Sequence, residues 1–133
     1  MSEEVNKSVI KQVYAAFRRR DMPAILVLQA EDAEWSVAAS SDLIPWASPG
    51  RGHQGVRDFL RILAESLTAE VFEIRNYLAE GDTVVALGYQ KGVARPTERS
   101  YSFDFVHVWT LDGGRVKTFR VYYDTAYVGS VLR

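Results

Sequence analysis

The alternation of apolar and polar positions divides the chain into a helical first half and a β-rich second half. Val5, Val9, Val13, Ala16 and Phe17 recur at spacings of four and three, which sets them on one face of a helix. Ser2 stands where an N-cap belongs, and Glu3 and Glu4 fill the first turn, where the helix dipole favours acid. Arg18, Arg19 and Arg20 close the other end, where cations suit the free carbonyls. So short a charge run reads as a solvated helix end before it reads as a phosphate-binding patch. Asp21 caps a second, shorter helix with Pro23 in its first turn, where the missing N–H costs nothing, and Ile25, Leu26 and Leu28 form its apolar side. From Ala33 to Ala38, Trp35 and Val37 occupy alternate positions, the period of a strand.

Ala39 to Gly52 breaks every period with Pro45, Pro49, Gly50 and Gly52. Loops of this length are usually functional or disordered, and Ile44 and Trp46 argue that this one lies over something apolar. A third helix is predicted from about Gln54 to Leu67, with Val56, Phe59, Leu60, Leu63 and Leu67 as its buried stripe. The period then changes to two. Strands are expected over Ala69 to Glu80, Thr83 to Val93, Ser100 to Leu111 and Arg115 to Tyr123, with Gly81-Asp82 and Asp112-Gly113-Gly114 as hairpin turns. Thr125 to Arg133 is too short to assign. Helices first and a strand meander afterwards predict one α+β domain, residues 1–133, with helices on one face of a curved antiparallel sheet.

Composition narrows the chemistry. The 133 residues contain no Cys, which excludes a disulfide scaffold and any thiolate-ligated metal. Sixteen Lys and Arg balance 17 Asp and Glu, so no basic field invites nucleic acid or an anionic membrane. No apolar run is long enough to span a bilayer and no signal peptide opens the chain, so a cytoplasmic location is expected. The two His residues stand on different elements and make poor metal ligands, and neither a GxGxxG nor a P-loop pattern is present. No metal and no cofactor is expected.

The remaining candidates are few. Tyr101, Phe103, Phe105, His107 and Trp109 share one face of a strand, more aromatic bulk than a thin two-layer core needs. The bulk suits packing, a face buried in a dimer, or the wall of a pocket. His107 lies in the most apolar stretch, and burying an imidazole there demands hydrogen-bond partners. Asp124 ends the last strand and either caps the next segment or serves a site. Tyr14 is one residue off the stripe of the first helix, bordering the core with its hydroxyl free. His53 reads as an exposed or capping residue, and Asp104 has the opposite parity to His107.

The order of elements resembles the nuclear transport factor 2-like fold, and more narrowly its SnoaL-like and ketosteroid isomerase-like branch. The residues that carry the resemblance are Ala16-Phe17 with Asp21 and Ala24, Glu31-Asp32-Ala33-Glu34-Trp35, Pro45-Trp46 and Gly52-His53-Gln54-Gly55-Val56 with Phe59-Leu60. Glu80-Gly81-Asp82-Thr83-Val84-Val85, Val106-His107-Val108-Trp109, Asp112-Gly113-Gly114-Arg115-Val116 and Tyr122-Tyr123-Asp124-Thr125 complete it. The resemblance covers nearly the whole chain and is specific for the fold rather than for an activity. It implies a cone-shaped cavity between sheet and helices, a homodimer through the sheet, and small hydrophobic carbonyl compounds handled without a cofactor. The isomerases' base falls at Val37, their helix-one tyrosine at Val13 and their protonated acid at His107. The polyketide cyclases' histidine also falls at His107, but their acid/base aspartate falls at Val121. The Asp–Arg–Asp set of the epoxide hydrolases is missing.

Three functions therefore compete. One is an acid–base isomerase, cyclase or lyase in which His107 is donor or base, Asp124 or Tyr14 orients, and Trp46 closes a lid. The second is a non-catalytic binder of a small hydrophobic molecule, with His107 as its polar anchor. The third is a dimeric accessory domain whose cone is plugged by Trp35, Phe105 and Trp109. In the first two, Trp35, Val37, Trp46, Phe59, Tyr89, Phe105, Trp109 and Val121 would line the pocket.

Overall fold

The computed structural model describes residues 2–133. Ser2 accepts a hydrogen bond from the Val5 N–H (3.1 Å) and opens α1 (Glu3–Arg18). Asp21 does the same for Ala24 (3.1 Å) at the start of α2 (Met22–Val27). Strand β1 (Gln29–Val37), helix α3 (Gly52–Ser66) and strands β2 (Leu67–Glu80), β3 (Thr83–Ala94), β4 (Ser100–Asp112) and β5 (Arg115–Tyr122) follow. The chain then turns into α4 (Thr125–Val131), the short segment the periodicity leaves unassigned. Its N-cap is Asp124, which accepts from the Tyr127 N–H at 3.0 Å. Strand β1 starts four residues before the alternation becomes visible, because a register shift between Gln29 and Glu34 interrupts the period of two.

The strand order is β1-β5-β4-β3-β2. The meander β2 to β5 is antiparallel, as expected, but β1 runs parallel to β5. That pairing is the one parallel seam of the expected antiparallel sheet: the chain leaves β1 through the long loop and α3, enters the sheet at its far edge, and meanders back to β1. Register shifts at Ala69/Val71 and Ile74/Asn76 kink β2 and help to curve the sheet. Gly88 and Gly92 serve the same bend on β3. A β-carbon at Gly88 would collide with the Phe105 ring, and one at Gly92 with the Thr68 carbonyl.

The helices cover the concave face. On β4, Tyr101, Phe103, Phe105, His107, Trp109 and Leu111 all point inward and are buried. Helix α1 buries Val9, Val13 and Ala16 of the expected stripe and half-buries Phe17, but its buried face is wider than that stripe. Its buried residues include Asn6, Ile10 and Tyr14, whereas Val5 is 40% exposed. The Asn6 amide donates to the Gly81 carbonyl (3.5 Å) and to Asp82 Oδ1 (3.4 Å) in the β2–β3 turn. The 38–51 loop is held against the core by Ile44, Trp46 and Ala47, all buried, and by the Val37 N–H donating to Ala47 O at 2.9 Å. Arg133 fastens it to α4 by donating to the carbonyls of Asp42 and Gly129, both at 2.8 Å. Among the described residues no helix is long and apolar enough to cross a membrane.

Candidate functional site

Between the sheet and the helices a cavity of about 60 Å³ remains. Helix α1 contributes Val13, Tyr14 and Phe17 to its lining, and α3 contributes Phe59, Leu60 and Leu63. The sheet contributes Trp35, Phe72, Gln90, Phe103, His107, Trp109, Phe119 and Val121. Leu67, Trp46 and Tyr123 complete the wall. Phe17, Leu60, Leu63, Phe72, Gln90 and Tyr123 are only half-buried and form the rim, while the other lining residues are buried. The deep end is filled by interlocking rings. Trp35 meets Phe59 (5.4 Å between ring centres), Trp109 (5.6 Å) and Phe119 (4.6 Å). The cone is thus neither wide nor fully plugged. What remains holds a few waters, and a larger ligand enters only as rim side chains move.

Polar chemistry in this cavity centres on one relay. The Trp109 indole N–H donates to the Tyr14 hydroxyl oxygen at 3.0 Å. Tyr14 Oη lies 2.6 Å from His107 Nδ1. An indole N–H can only donate, so the Tyr14 oxygen is the acceptor there, and its own proton is free to go to Nδ1. Burial holds the imidazole neutral, with its pKa pushed down to about 3. A neutral imidazole whose Nδ1 accepts must carry its proton on Nε2. In that arrangement His107 Nε2 is an N–H donor, and the described hydrogen bond of the ring is the one at Nδ1. Burial also raises the Tyr14 hydroxyl far above its usual range, so it does not ionise to pass a proton along. No Lys, Arg, Asp or Glu lines the cavity.

A second polar group is left incomplete. The Tyr123 hydroxyl is buried and makes no hydrogen bond, although the Trp46 indole stands beside it. Burial raises this hydroxyl too. Gln90 spends its amide oxygen on the Tyr101 hydroxyl (3.1 Å).

The structure brings His107 and Tyr14 together and keeps Asp124 apart. Tyr14 is buried and bonded twice rather than bordering the core with its hydroxyl free. Asp124 caps α4 and is not among the lining residues. Of the expected pocket residues, Trp35, Trp46, Phe59, Trp109 and Val121 line the cavity. Val37 is buried outside it. Phe105 lies behind the wall, stacked on His107 (4.2 Å between ring centres) and filling the space above Gly88. Tyr89 has the outward parity, with the Arg75 guanidinium 4.6 Å above its ring. Trp46 is 1% exposed and belongs to the wall. His53 lies outside the cavity, 3.4 Å from the Gln29 carbonyl. Phe119 and Tyr123, absent from the expected lining, share the parity of Val121, and that alternation is the signal that marks them.

Comparison with solved structures returns the same architecture. A nuclear transport factor 2-like protein from Burkholderia xenovorans is 28% identical over 100% of this chain and 99% of its own, with a TM-score of 0.90. One of unknown function from Burkholderia pseudomallei is 28% identical over 99% and 98%, with a TM-score of 0.86. TerC, crystallised with polyporic acid, is 27% identical over 96% and 98%, with a TM-score of 0.84. No curated protein matches the chain. The SnoaL-like domain family matches residues 10–119, from the middle of α1 into β5. With that match over most of its length, the chain belongs to the SnoaL-like domain family, within the nuclear transport factor 2-like superfamily.

Proposed function

We propose that the cavity binds a small, neutral, hydrophobic molecule through a carbonyl oxygen, with His107 Nε2–H as the donor. The Trp109–Tyr14–His107 relay carries this reading, because with Tyr14 donating to Nδ1 the imidazole offers its Nε2 proton to an acceptor. The similarity to TerC, crystallised with polyporic acid, supports an organic ligand. A donor held in an apolar, desolvated site stabilises negative charge as it develops on an oxygen. This suits an isomerase, cyclase or lyase that passes through an enolate. The lining residues supply no base, so in such chemistry the substrate's proton leaves to solvent at the rim. A simple binder uses the same donor.

One ligand separates these two forms. 2-Acetylnaphthalene is expected to quench tryptophan fluorescence saturably and to bind roughly tenfold more tightly than 2-ethylnaphthalene, a difference worth one well-made hydrogen bond. His107→Phe should remove that preference. Loss of the acetyl methyl signal in D2O, faster with the protein than with His107→Phe, identifies catalysis of enolisation, and an unchanged rate identifies a binder. Equal affinity for the two naphthalenes rejects the reading.

As part of the same proposal, two copies pair through the outer face of the sheet. Val85 and Val108 sit opposite each other there, as do Leu87 and Val106, all half-exposed. Sedimentation at micromolar concentration should show a dimer that Val108→Lys dissociates.

A further inference from the structure

The half-buried rim residues of the cavity are not equally free to move. Leu60 and Leu63 stand within α3, whose backbone is closed by its own hydrogen bonds. Gln90 lies on β3, which has a neighbour on each side, and its amide oxygen accepts from the Tyr101 hydroxyl at 3.1 Å. Tyr123 rests against Phe103, with 4.9 Å between ring centres. Phe17 belongs to the last turn of α1, which the Asp21 N–H secures by donating to Ala16 O at 2.9 Å. Phe72 differs from all of these. Its strand, β2, is an edge of the sheet with β3 as its sole neighbour. Register shifts at Ala69/Val71 and Ile74/Asn76 bracket it, so this part of the ladder can shift without unzipping the rest. Its ring stacks on Phe105 (5.2 Å between ring centres) and meets Phe17 (5.4 Å), Tyr14 (6.1 Å) and His107 (6.4 Å). A phenyl ring carries no hydrogen bond that must break when it moves. Phe72 is thus the rim residue on the most yielding element, and it stands over the relay.

From this arrangement we infer that Phe72 controls what the cavity admits. Molecules enter between the last turn of α1 and β2 by displacing its ring from Phe17, and the path they open ends at His107 and the Tyr14 hydroxyl. The size of what enters is then set by how far the β2 edge yields, rather than by the space of about 60 Å³ that remains while the ring is in place. This path is the same whether or not the occupant is held through a carbonyl oxygen.

The test follows the Trp109 indole proton, which is bonded to the Tyr14 hydroxyl and exchanges with D2O only when water reaches the relay. Its exchange is read from proton–nitrogen spectra of the full chain, and urea unfolding gives the global stability of each variant. In the wild type this proton should exchange through an opening that costs less than global unfolding. After allowance for global stability, Phe72→Ala should exchange about tenfold faster than the wild type, and Leu63→Ala, on the α3 side of the rim, less than about twofold faster. Phe72→Leu, a smaller loss of volume, should fall between Phe72→Ala and the wild type, and it carries the comparison with Leu63→Ala if Phe72→Ala does not fold. Wild-type exchange that needs global unfolding overturns the inference, because no opening at the rim then precedes it. Equal acceleration in the Phe72 and Leu63 variants, or none in either, also overturns it. The measurement uses no ligand, so those outcomes leave the carbonyl reading to its own test with the naphthalenes.

Discussion

Removing one oxygen atom from Tyr14 tests the relay most directly. In Tyr14→Phe the ring stays in contact with its neighbours, including Trp109 at 5.6 Å between ring centres. The hydroxyl that joins the Trp109 N–H at 3.0 Å to His107 Nδ1 at 2.6 Å disappears. Two polar atoms then lose their partner in a site where Tyr14 is 3% and Trp109 1% exposed. An orphaned buried donor or acceptor costs about 1–3 kcal/mol, so the pair should cost about 2–4 kcal/mol. For a chain of this size that lowers Tm by roughly 10 °C. Urea unfolding followed by tryptophan fluorescence measures the loss. Long-range proton–nitrogen correlation spectra of the histidines report which ring nitrogen carries the proton. The wild type should show His107 protonated on Nε2, and the variant should lose that single assignment, because nothing then holds Nδ1 as an acceptor. A stability loss below about 0.5 kcal/mol, together with an unchanged tautomer, would refute the relay.

Three further outcomes are expected. The pKa of His107 is depressed in the folded state, to about 3 against an ordinary 6.5, so the unfolded chain binds the extra proton between those values. Stability should therefore be fully present above pH 6.5 and fall as pH drops towards 3, by roughly 1 kcal/mol per pH unit. Urea midpoints from pH 7 to pH 4 check this, and His107→Phe should flatten the slope. Tyr123→Phe should stabilise the free protein by about 1 kcal/mol, because it deletes an unpartnered buried hydroxyl, and a loss of stability would show that the hydroxyl has a partner. Gly88→Ala should destabilise by about 1–3 kcal/mol in a thermal melt, since its β-carbon must displace the Phe105 ring that stacks on His107.

The helices and hairpins were legible because capping residues, turn residues and periodicity agreed at each of them. The inward face of β4, with His107 among aromatics, followed from parity alone. Parity could not supply partners. The apolar stripe of α1 holds at Val9, Val13 and Ala16, but the buried face also takes in Asn6, Ile10 and Tyr14, so Tyr14 lies inside the core rather than at its border. The Asn6 amide meets its partners in the β2–β3 turn, far away in sequence. Asp124 was legible as a cap, and the structure uses it as one. Phe72 gave no sequence signal, because the shifts in β2 blur its alternation. The parallel seat of β1 beside β5 was invisible for a similar reason. It is a long-range pairing with no local signature.

That seat has a consequence for how the chain acquires its shape. Ser36 and Arg120 lie beside each other but are separated by 84 residues. Strand β1 has β5 as its sole neighbour in the sheet, so a nascent chain carries β1 unpaired through the synthesis of almost everything else. Closing so long a loop is entropically costly before any contact rewards it, and topologies of this kind fold slowly. Trp35 and Phe119, which meet across this last seam, are also the rings that fill the deep end of the cavity. The pocket wall is therefore complete only once this seam has closed, and a chain stopped short of residue 119 would hold β2 to β4 and lack the Phe119 side of the site.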